Sequence, residues 1–146
     1  KFQRKLRNGQ RKPTQHVTTK NSDLVLKRIR KVPPGGNWEN IPRELMQVDG
    51  DYEKIHKAHS MIYRRLIKTE PSVTITNFRK GMIIHPTEHR LFSVREAARI
   101  QTFPDSYKFE GGLSSMQQQV SDAVPVFLAK KVAEAILEHL RINHKL

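Results

Sequence analysis

The run Arg90-Leu91-Phe92-Ser93-Val94-Arg95-Glu96-Ala97-Ala98-Arg99-Ile100-Gln101-Thr102-Phe103-Pro104-Asp105 is built to start and stop a helix. Ser93-Val94-Arg95-Glu96 is a capping-box sequence: the serine oxygen accepts an early backbone N–H, and the glutamate reaches back to the serine N–H. The helix is expected to run to about Thr102, ahead of Pro104-Asp105. Further on, Gln119-Val120-Ser121-Asp122-Ala123-Val124-Pro125 leads into a last helix, expected from about Pro125 to Leu140. Pro125 suits its first turn, where a missing N–H costs nothing. Val124, Leu128, Val132, Ile136 and Leu140 fall along one face.

Working back toward the N-terminus, the pattern from Ser72 changes to alternation. Val73 with Ile75, and then Met82-Ile83-Ile84, predict two short strands, with Phe78-Arg79-Lys80-Gly81 turning between them and Pro86 ending the second. Residues 39–70 are irregular, with a helix expected near Tyr52–His59 and a short apolar stretch at Met61-Ile62-Tyr63. Asn21 or Ser22 can cap a short helix carrying Leu24, Val25, Ile29 and Val32, which must end by Pro33-Pro34-Gly35-Gly36. Residues 1–20 hold Asn8-Gly9 and Pro13 and no sustained hydrophobic period, so they read as an extended or mobile basic arm.

Charge is unevenly placed along the 146 residues. Of the formal net charge of +13, residues 1–31 carry +10, with eleven Lys/Arg against Asp23 alone. By itself such a block is a solvated tail; its sign fits a polyanion, since each cation that meets a phosphate releases condensed counterions. A hydrophobic fraction of 36% and a mean hydropathy of −0.65 are low for a self-contained globule. Part of the chain is therefore expected to be exposed, disordered or covered by a partner. No run of about 18 apolar residues exists, so no membrane association is expected.

Chemistry-bearing groups are sparse. With zero cysteines there is no disulfide, no thiolate metal site and no thiol nucleophile. His56 and His59 lack an acidic third ligand at a recognisable spacing, and Pro86 breaks any helix that would align His85 with His89, so no metal site is expected. No Gly-rich phosphate loop is read, since Gly35-Gly36 comes after a Pro-Pro helix stop and Gly111-Gly112 after an aromatic strand-like piece, and no serine has nucleophile-elbow context. No catalytic residue is assigned.

The Arg90–Phe109 and Gln119–Ala129 segments closely resemble the last two conserved blocks of DNA (cytosine-5) methyltransferases. Similarity extends to Tyr63-Arg64-Arg65-Leu66, to Pro71-Ser72-Val73-Thr74-Ile75-Thr76, and to Arg28–Trp38. The resemblance covers roughly residues 24–140, in the family's order. It lacks the early blocks: the Gly-rich cofactor loop, the Pro-Cys nucleophile, the Glu-Asn-Val acid and the Gln-x-Arg-x-Arg strand. In that family the target cytosine is flipped out, a thiolate attacks C6, and C5 takes a methyl group from S-adenosylmethionine.

The resemblance implies a mixed α/β fold: a small irregular β-rich recognition lobe, then C-terminal helices that complete a Rossmann-like methyltransferase domain. Residues 1–20 would be the arm, 21–89 part of the target recognition domain, and 90–146 the helical segment. It implies that Thr74 and Ile75 match the family's Thr-Leu pair, which touches DNA backbone beside the flipped nucleotide. Arg64, Arg65, Arg79 and Lys80 flank these elements as expected phosphate contacts. Arg95, Glu96, Arg99 and the Phe103-Pro104-Asp105 turn match a block that organises the recognition domain. Asp122 and Ala123 fall where relatives contact the methionine part of S-adenosylmethionine, although Ser121-Asp122 replaces the usual Gly-Asn.

The expected function is the C-terminal subunit or fragment of a split or longer DNA (cytosine-5) methyltransferase, inactive alone, of the restriction-modification kind. Residue 1 is Lys, which favours a processed, trimmed or excised piece. Expected partners are double-stranded DNA and an N-terminal catalytic segment or subunit, with self-association in its absence; the expected location is the cytoplasm, at the nucleoid. A non-enzymatic DNA-binding module of the same fold is the alternative, and a structural remnant that binds nothing is a third reading.

Overall fold

The computed structural model describes residues 2–47, 61–76 and 78–144. The helix expected near Tyr52–His59, with His56 and His59, lies outside them. The described residues form α1 (Phe2–Arg7), α2 (Asp23–Lys31), a 3-10 turn (Trp38–Asn40) and α3 (Arg43–Met46). These are followed by α4 (Phe78–Gly81), α5 (Val94–Ile100), α6 (Leu113–Asp122) and α7 (Val126–His144). None is long and apolar enough to cross a membrane.

Local chemistry explains the helix boundaries. Ser22 caps α2 by accepting from Val25 N, and the helix stops ahead of Pro33. In α5 the capping box is complete: Glu96 N donates to Ser93 Oγ at 3.1 Å, and Ser93 N donates to Glu96 Oε2 at 2.8 Å. Helix α6 was not anticipated, because Gly111-Gly112 and a Ser/Gln-rich run mask it. Its apolar signal is only Leu113, Met116 and Val120, spaced three and four apart, and all three pack in the same core.

Two cores meet at one seam. The first gathers Ile29, Val32, Trp38, Ile41, Met46, Tyr63, Ile84 and Leu91 around α2 and α3. The second gathers Leu66, Ile75, Phe78, Ile83, Phe92, Val94, Ala97, Ala98, Phe109 and Val120 around α4, α5 and α6. Ile83 and Ile84, like Phe92 and Leu91, are sequence neighbours sent into opposite cores, as successive side chains of an extended segment are.

The mixed α/β expectation is overturned here. Among the described residues there is no strand and no sheet, neither a β-rich lobe nor a Rossmann-like sheet, and the expected turn Phe78–Gly81 is a helical turn. Pairing at the seam is limited to isolated bridges, Arg65 with Ile84 in parallel and Ile84 with Leu91 antiparallel. The alternation at Met82-Ile83-Ile84 reflects two cores, and that at Val73–Ile75 one core with Thr74 exposed between, rather than a ladder. Tyr63 and Met82 have φ of 55° and 49°, which turn the backbone out of the extended region just before the bridges. Pro86, with no N–H to donate, closes the other end.

Without a ladder, the seam's carbonyls need other donors, and Arg65 supplies them. Its side chain is buried, with Nε on Val32 O (2.7 Å), Nη1 on His85 O (2.6 Å) and Glu88 O (2.8 Å), and Nη2 on Ile29 O (2.8 Å). Nη2 also meets His89 Nδ1 at 3.2 Å. The main chain runs alongside: Gly35 N donates to Arg65 O, and Arg65 N donates to Gly36 O. Gly35 has φ of 77°, a left-handed conformation that favours glycine, and a Cβ there would come within 2.9 Å of Ile67 Cδ1, whose side chain would have to shift.

Arg95 plays the same part for the N-terminal segment. Fully buried, it donates to Thr14 O (3.0 Å), Pro104 O (3.1 Å) and Tyr107 O (2.6 Å), and lies 5.8 Å from the Phe109 ring centre. Gln15 pairs with both the N–H and the carbonyl of Phe109, Val94 N donates to Val17 O, and His16 meets Ser93 Oγ at 2.8 Å. The segment read as a mobile arm is thus held along residues 14–17, and α1 docks through buried Leu6, whose carbonyl accepts from Asp105 N.

Two ion pairs brace α5. Arg90 grips Glu96 with two parallel bonds of 2.7 Å, and Arg99 grips buried Asp105 at 2.8 and 2.6 Å. Burial pushes the Glu96 carboxyl up, but hydrogen bonds from Arg90 and Ser93 outweigh it and hold the group at about 2, below its ordinary 4.5. A depressed carboxyl stabilises the fold in full above its unfolded value and loses that contribution as pH falls through the folded one. Thermal stability is therefore expected to drop between pH 4.5 and 2. Glu96→Gln should cost roughly 2 kcal/mol at neutral pH by losing charge-assisted bonds, and should flatten the acid-side slope in melts run across that window; an unchanged slope would assign the acid sensitivity elsewhere.

Candidate functional site

Helices α5, α6 and α7 are joined by one short hinge. Gln101, the C-cap of α5, sends its side-chain Nε2 to Val120 O (3.3 Å) and Ala123 O (3.2 Å), which lie at the end of α6. Its own carbonyl accepts from Val126 N (3.1 Å), and Thr102 Oγ1 accepts from Phe127 N (3.0 Å). One dipeptide thus satisfies carbonyls that α6 leaves orphaned and amides that α7 leaves orphaned. On the other side, Ser121 Oγ accepts from Phe78 N (2.9 Å) and donates to Gln117 O (2.9 Å), fixing α4 against α6.

The cleft beside this hinge has a volume of about 490 Å³. Ser72, Val73, Thr74 and Ile75 form one side; Ile100, Gln101, Ala123, Val124, Pro125 and Leu128 form the other. Ile75 is buried and anchors its segment in the second core, which leaves neighbouring Thr74 exposed at the rim. Thr74, Ile75 and Ala123, far apart in sequence, are thereby brought to one place.

The remaining expected contacts do not line this cleft. Arg64 is half-buried, and its carbonyl accepts from Ile84 N at the seam. Arg65 points inward, with its guanidinium engaged by the acceptors already named. Arg79 lies in α4, and Lys80 is exposed on the same helical turn. Asp122 is exposed at the end of α6, where Gln118 Nε2 donates to it at 2.8 Å. Two cleft-forming residues had no role in the sequence reading. Gln101 and Ser121 act through hydrogen bonds to backbone of other elements, and no local spacing announces such bonds.

Histidines near the seam are occupied by local bonds. His85 Nδ1 accepts from Glu88 N (3.1 Å) and Thr87 N (3.3 Å), which puts the proton of the neutral ring on Nε2. Burial, followed by the nearby Arg90 charge, lowers the His85 pKa. Among the described residues no group of three His, Cys, Asp or Glu side chains could hold a metal ion.

Along α7 the apolar face is uncovered. Val124, Leu128, Val132, Ile136 and Leu140 are 60, 54, 51, 55 and 37% exposed, and the first and second continue the cleft wall outward. Isolated exposed aliphatics are ordinary; a continuous row of them on one helix marks an interaction surface.

Comparison with known proteins matches residues 2–138 to the family model described as C-5 cytosine-specific DNA methylase. DNA (cytosine-5)-methyltransferase 3 of Arabidopsis thaliana is 37% identical over 150 residues, covering 88% of this chain and 10% of that protein. The type II methyltransferase M.Sau96I of Staphylococcus aureus is 35% identical, covering 82% of this chain and 29% of its own length. M.BbvI of Brevibacillus brevis is 39% identical, covering 84% and 33%. The chain spans a third or less of the length of these three relatives.

Gln101 is the residue on which the cleft's geometry turns. Gln101→Ala leaves the carbonyls of Val120 and Ala123 without that donor, and is expected to cost about 1–3 kcal/mol in denaturant unfolding. A loss under about 0.5 kcal/mol, typical of surface changes, would mean that the helix junction is held by other contacts.

Proposed function

The chain belongs to the C-5 cytosine-specific DNA methylase family, and from that premise we propose that it is the substrate-positioning portion of a DNA (cytosine-5) methyltransferase. It supplies target recognition and one wall of the S-adenosylmethionine site, while the cysteine nucleophile comes from another segment. One observation carries this reading: Thr74-Ile75, which resembles the family's DNA-contacting pair, and Ala123, which falls in a stretch resembling its cofactor-contacting block, line the same cleft. A flipped base and its methyl donor must meet in one place for the reaction to occur.

Each residue has a physical task in this reading. Thr74, exposed at the rim and stiff at its first side-chain torsion, presents its hydroxyl to a backbone phosphate at little entropic cost. Ile75 is the anchor beneath it. Arg64, Arg79 and Lys80 act as a group on more distant phosphates, whereas Arg65 is left out of that group because its donors are spent on carbonyls of the seam. The chain's net charge of +13 favours association with a polyanion.

The wall offered to S-adenosylmethionine fits part of that molecule. Val73, Ile100, Val124 and Pro125 provide apolar surface. Asp122, next in sequence to Ala123 and exposed, is an acceptor suited to the cofactor's ammonium rather than to its carboxylate. When bound, the cofactor supplies the methyl group. The chain's own residues orient the donor and the target and exclude water from between them; with no cysteine they form no covalent bond to the base.

The uncovered α7 face supports a docking place there for the catalytic segment. Burying one such aliphatic side chain contributes roughly 1.5–3 kcal/mol, so a row of them stabilises an assembly strongly. The test is methyl transfer to duplex DNA by the chain alone, by the cysteine-bearing segment alone, and by the two together. Activity is expected only in the mixture, and Leu128→Asp should reduce both co-purification and activity by at least tenfold, a change of about 1.4 kcal/mol or more. Methyl transfer by the chain alone would refute the division of roles. DNA binding unaffected by a partner that neither associates nor restores activity would favour an independent DNA-binding module.

A further inference from the structure

A second cleft adjoins the first. Its volume is about 840 Å³, and it shares Ser72 and Ile100 with the Thr74 cleft, so the two form one continuous depression. Its outer wall is α1, which is held in place by three contacts. Leu6 is buried and accepts from Asp105 N at 2.6 Å, the Phe2 ring lies edge-on to Phe127 at 5.6 Å, and Asn8 Nδ2 donates to Ser106 Oγ at 3.3 Å.

Three cations from separate elements converge there: Arg7 from α1, Lys68 from the loop before Pro71, and Arg99 from α5. Asp105 engages Arg99 through Nε and Nη2 and is itself 1% exposed, so it orients the guanidinium from behind. Glu70 also lines the cleft. Arg7 and Lys68 are exposed; neither is within ion-pair distance of a carboxylate among the described residues, although the charge of Asp105 also faces Arg7. A charge block on a free tail needs no ligand, but here the chain folds the tail's first turn onto the body and places Arg7 in the lining of the same cleft as Lys68 and Arg99.

We propose that this second cleft is a phosphate subsite, taking a phosphodiester of the DNA strand whose neighbouring nucleotide occupies the Thr74 cleft. The proposal rests on the reading of the Thr74 cleft as the DNA-facing site. Lys68 acts as a point charge, Arg99 presents a guanidinium held by Asp105, and Arg7 closes over the phosphate from α1. Glu70, the acid at the edge, limits the affinity and keeps the contact sensitive to salt. The basic N-terminal segment is then part of a built site rather than a diffuse tether.

Acetylation footprinting of the full chain, read by mass spectrometry, tests this with duplex DNA, with inorganic phosphate, and with neither. Duplex DNA is expected to protect Lys68 at least fivefold relative to Lys130 on α7. The double variant R7A/K68A should keep the wild-type melting temperature and lower the log–log salt slope of DNA binding by about one, since neutralising one phosphate contributes about 0.9. Bound duplex with unprotected Lys68, or an unchanged slope, overturns the subsite and leaves the Thr74 reading standing. Protection by inorganic phosphate but not by duplex identifies a free-phosphate site and overturns the DNA assignment. A wild-type chain that binds no duplex removes the Thr74 reading and the subsite together.

Discussion

A buried guanidinium must find an acceptor for nearly every N–H it carries, and that demand organises this structure. Arg65 meets it with carbonyls from three places: the end of α2, the residue following α2, and the His85–Glu88 turn. Isolated bridges do not reach the carbonyls of Val32, His85 and Glu88, and an orphaned buried carbonyl costs about as much as a lost hydrogen bond. Arg95 repeats the solution one layer away, joining Thr14, Pro104 and Tyr107. Two arginines thereby do what ladders of backbone bonds do in sheet proteins. The consequence is high specificity at low secondary-structure content, since only one arrangement of the three segments satisfies each planar fork.

The two cores and the cleft follow from that arrangement. With Arg65 fixing Val32, His85 and Glu88 relative to one another, Ile83 and Ile84 can only face opposite sides. The second core then fixes Ile75, and through it the position of Thr74. Gln101 closes the other side of the cleft by tying α6 and α7 to the end of α5. Thr74 and Ala123 line one cleft because the packing of Ile75 in the second core and the hydrogen bonds of Gln101 converge, neither of which uses either residue's side chain.

Much of this was legible in the residues, and what was not has definite causes. The capping box at Ser93–Glu96, the stop at Pro33 and the final helix are local signals, and they stand where the spacing put them. The resemblance singled out Thr74 and Ile75 in the Pro71–Thr76 segment and Ala123 in the last block, and these residues line one cleft. The expected strands failed because alternation records only which way side chains point, and two cores flanking an irregular segment produce it as well as a sheet does. Arg65 reads in sequence as a surface cation beside Arg64; its burial depends on carbonyls twenty or more residues away in both directions, beyond any local pattern. The same holds for the N-terminal segment, where Gln15 and Arg95 make polar contacts that composition alone reads as a solvated arm.

The most direct measurement of the account is nitrogen-detected NMR of the arginine side chains in the isolated chain, with hydrogen exchange followed over time. If Arg65 carries the seam, its guanidinium protons give separate, shifted signals that exchange as slowly as the most protected backbone amides, because releasing them requires global unfolding. The exposed Arg30 and Arg141 serve as fast-exchanging references. Arg65 protons that average together and exchange as fast as those references would contradict the account, and would place this arginine among the DNA-facing cations instead.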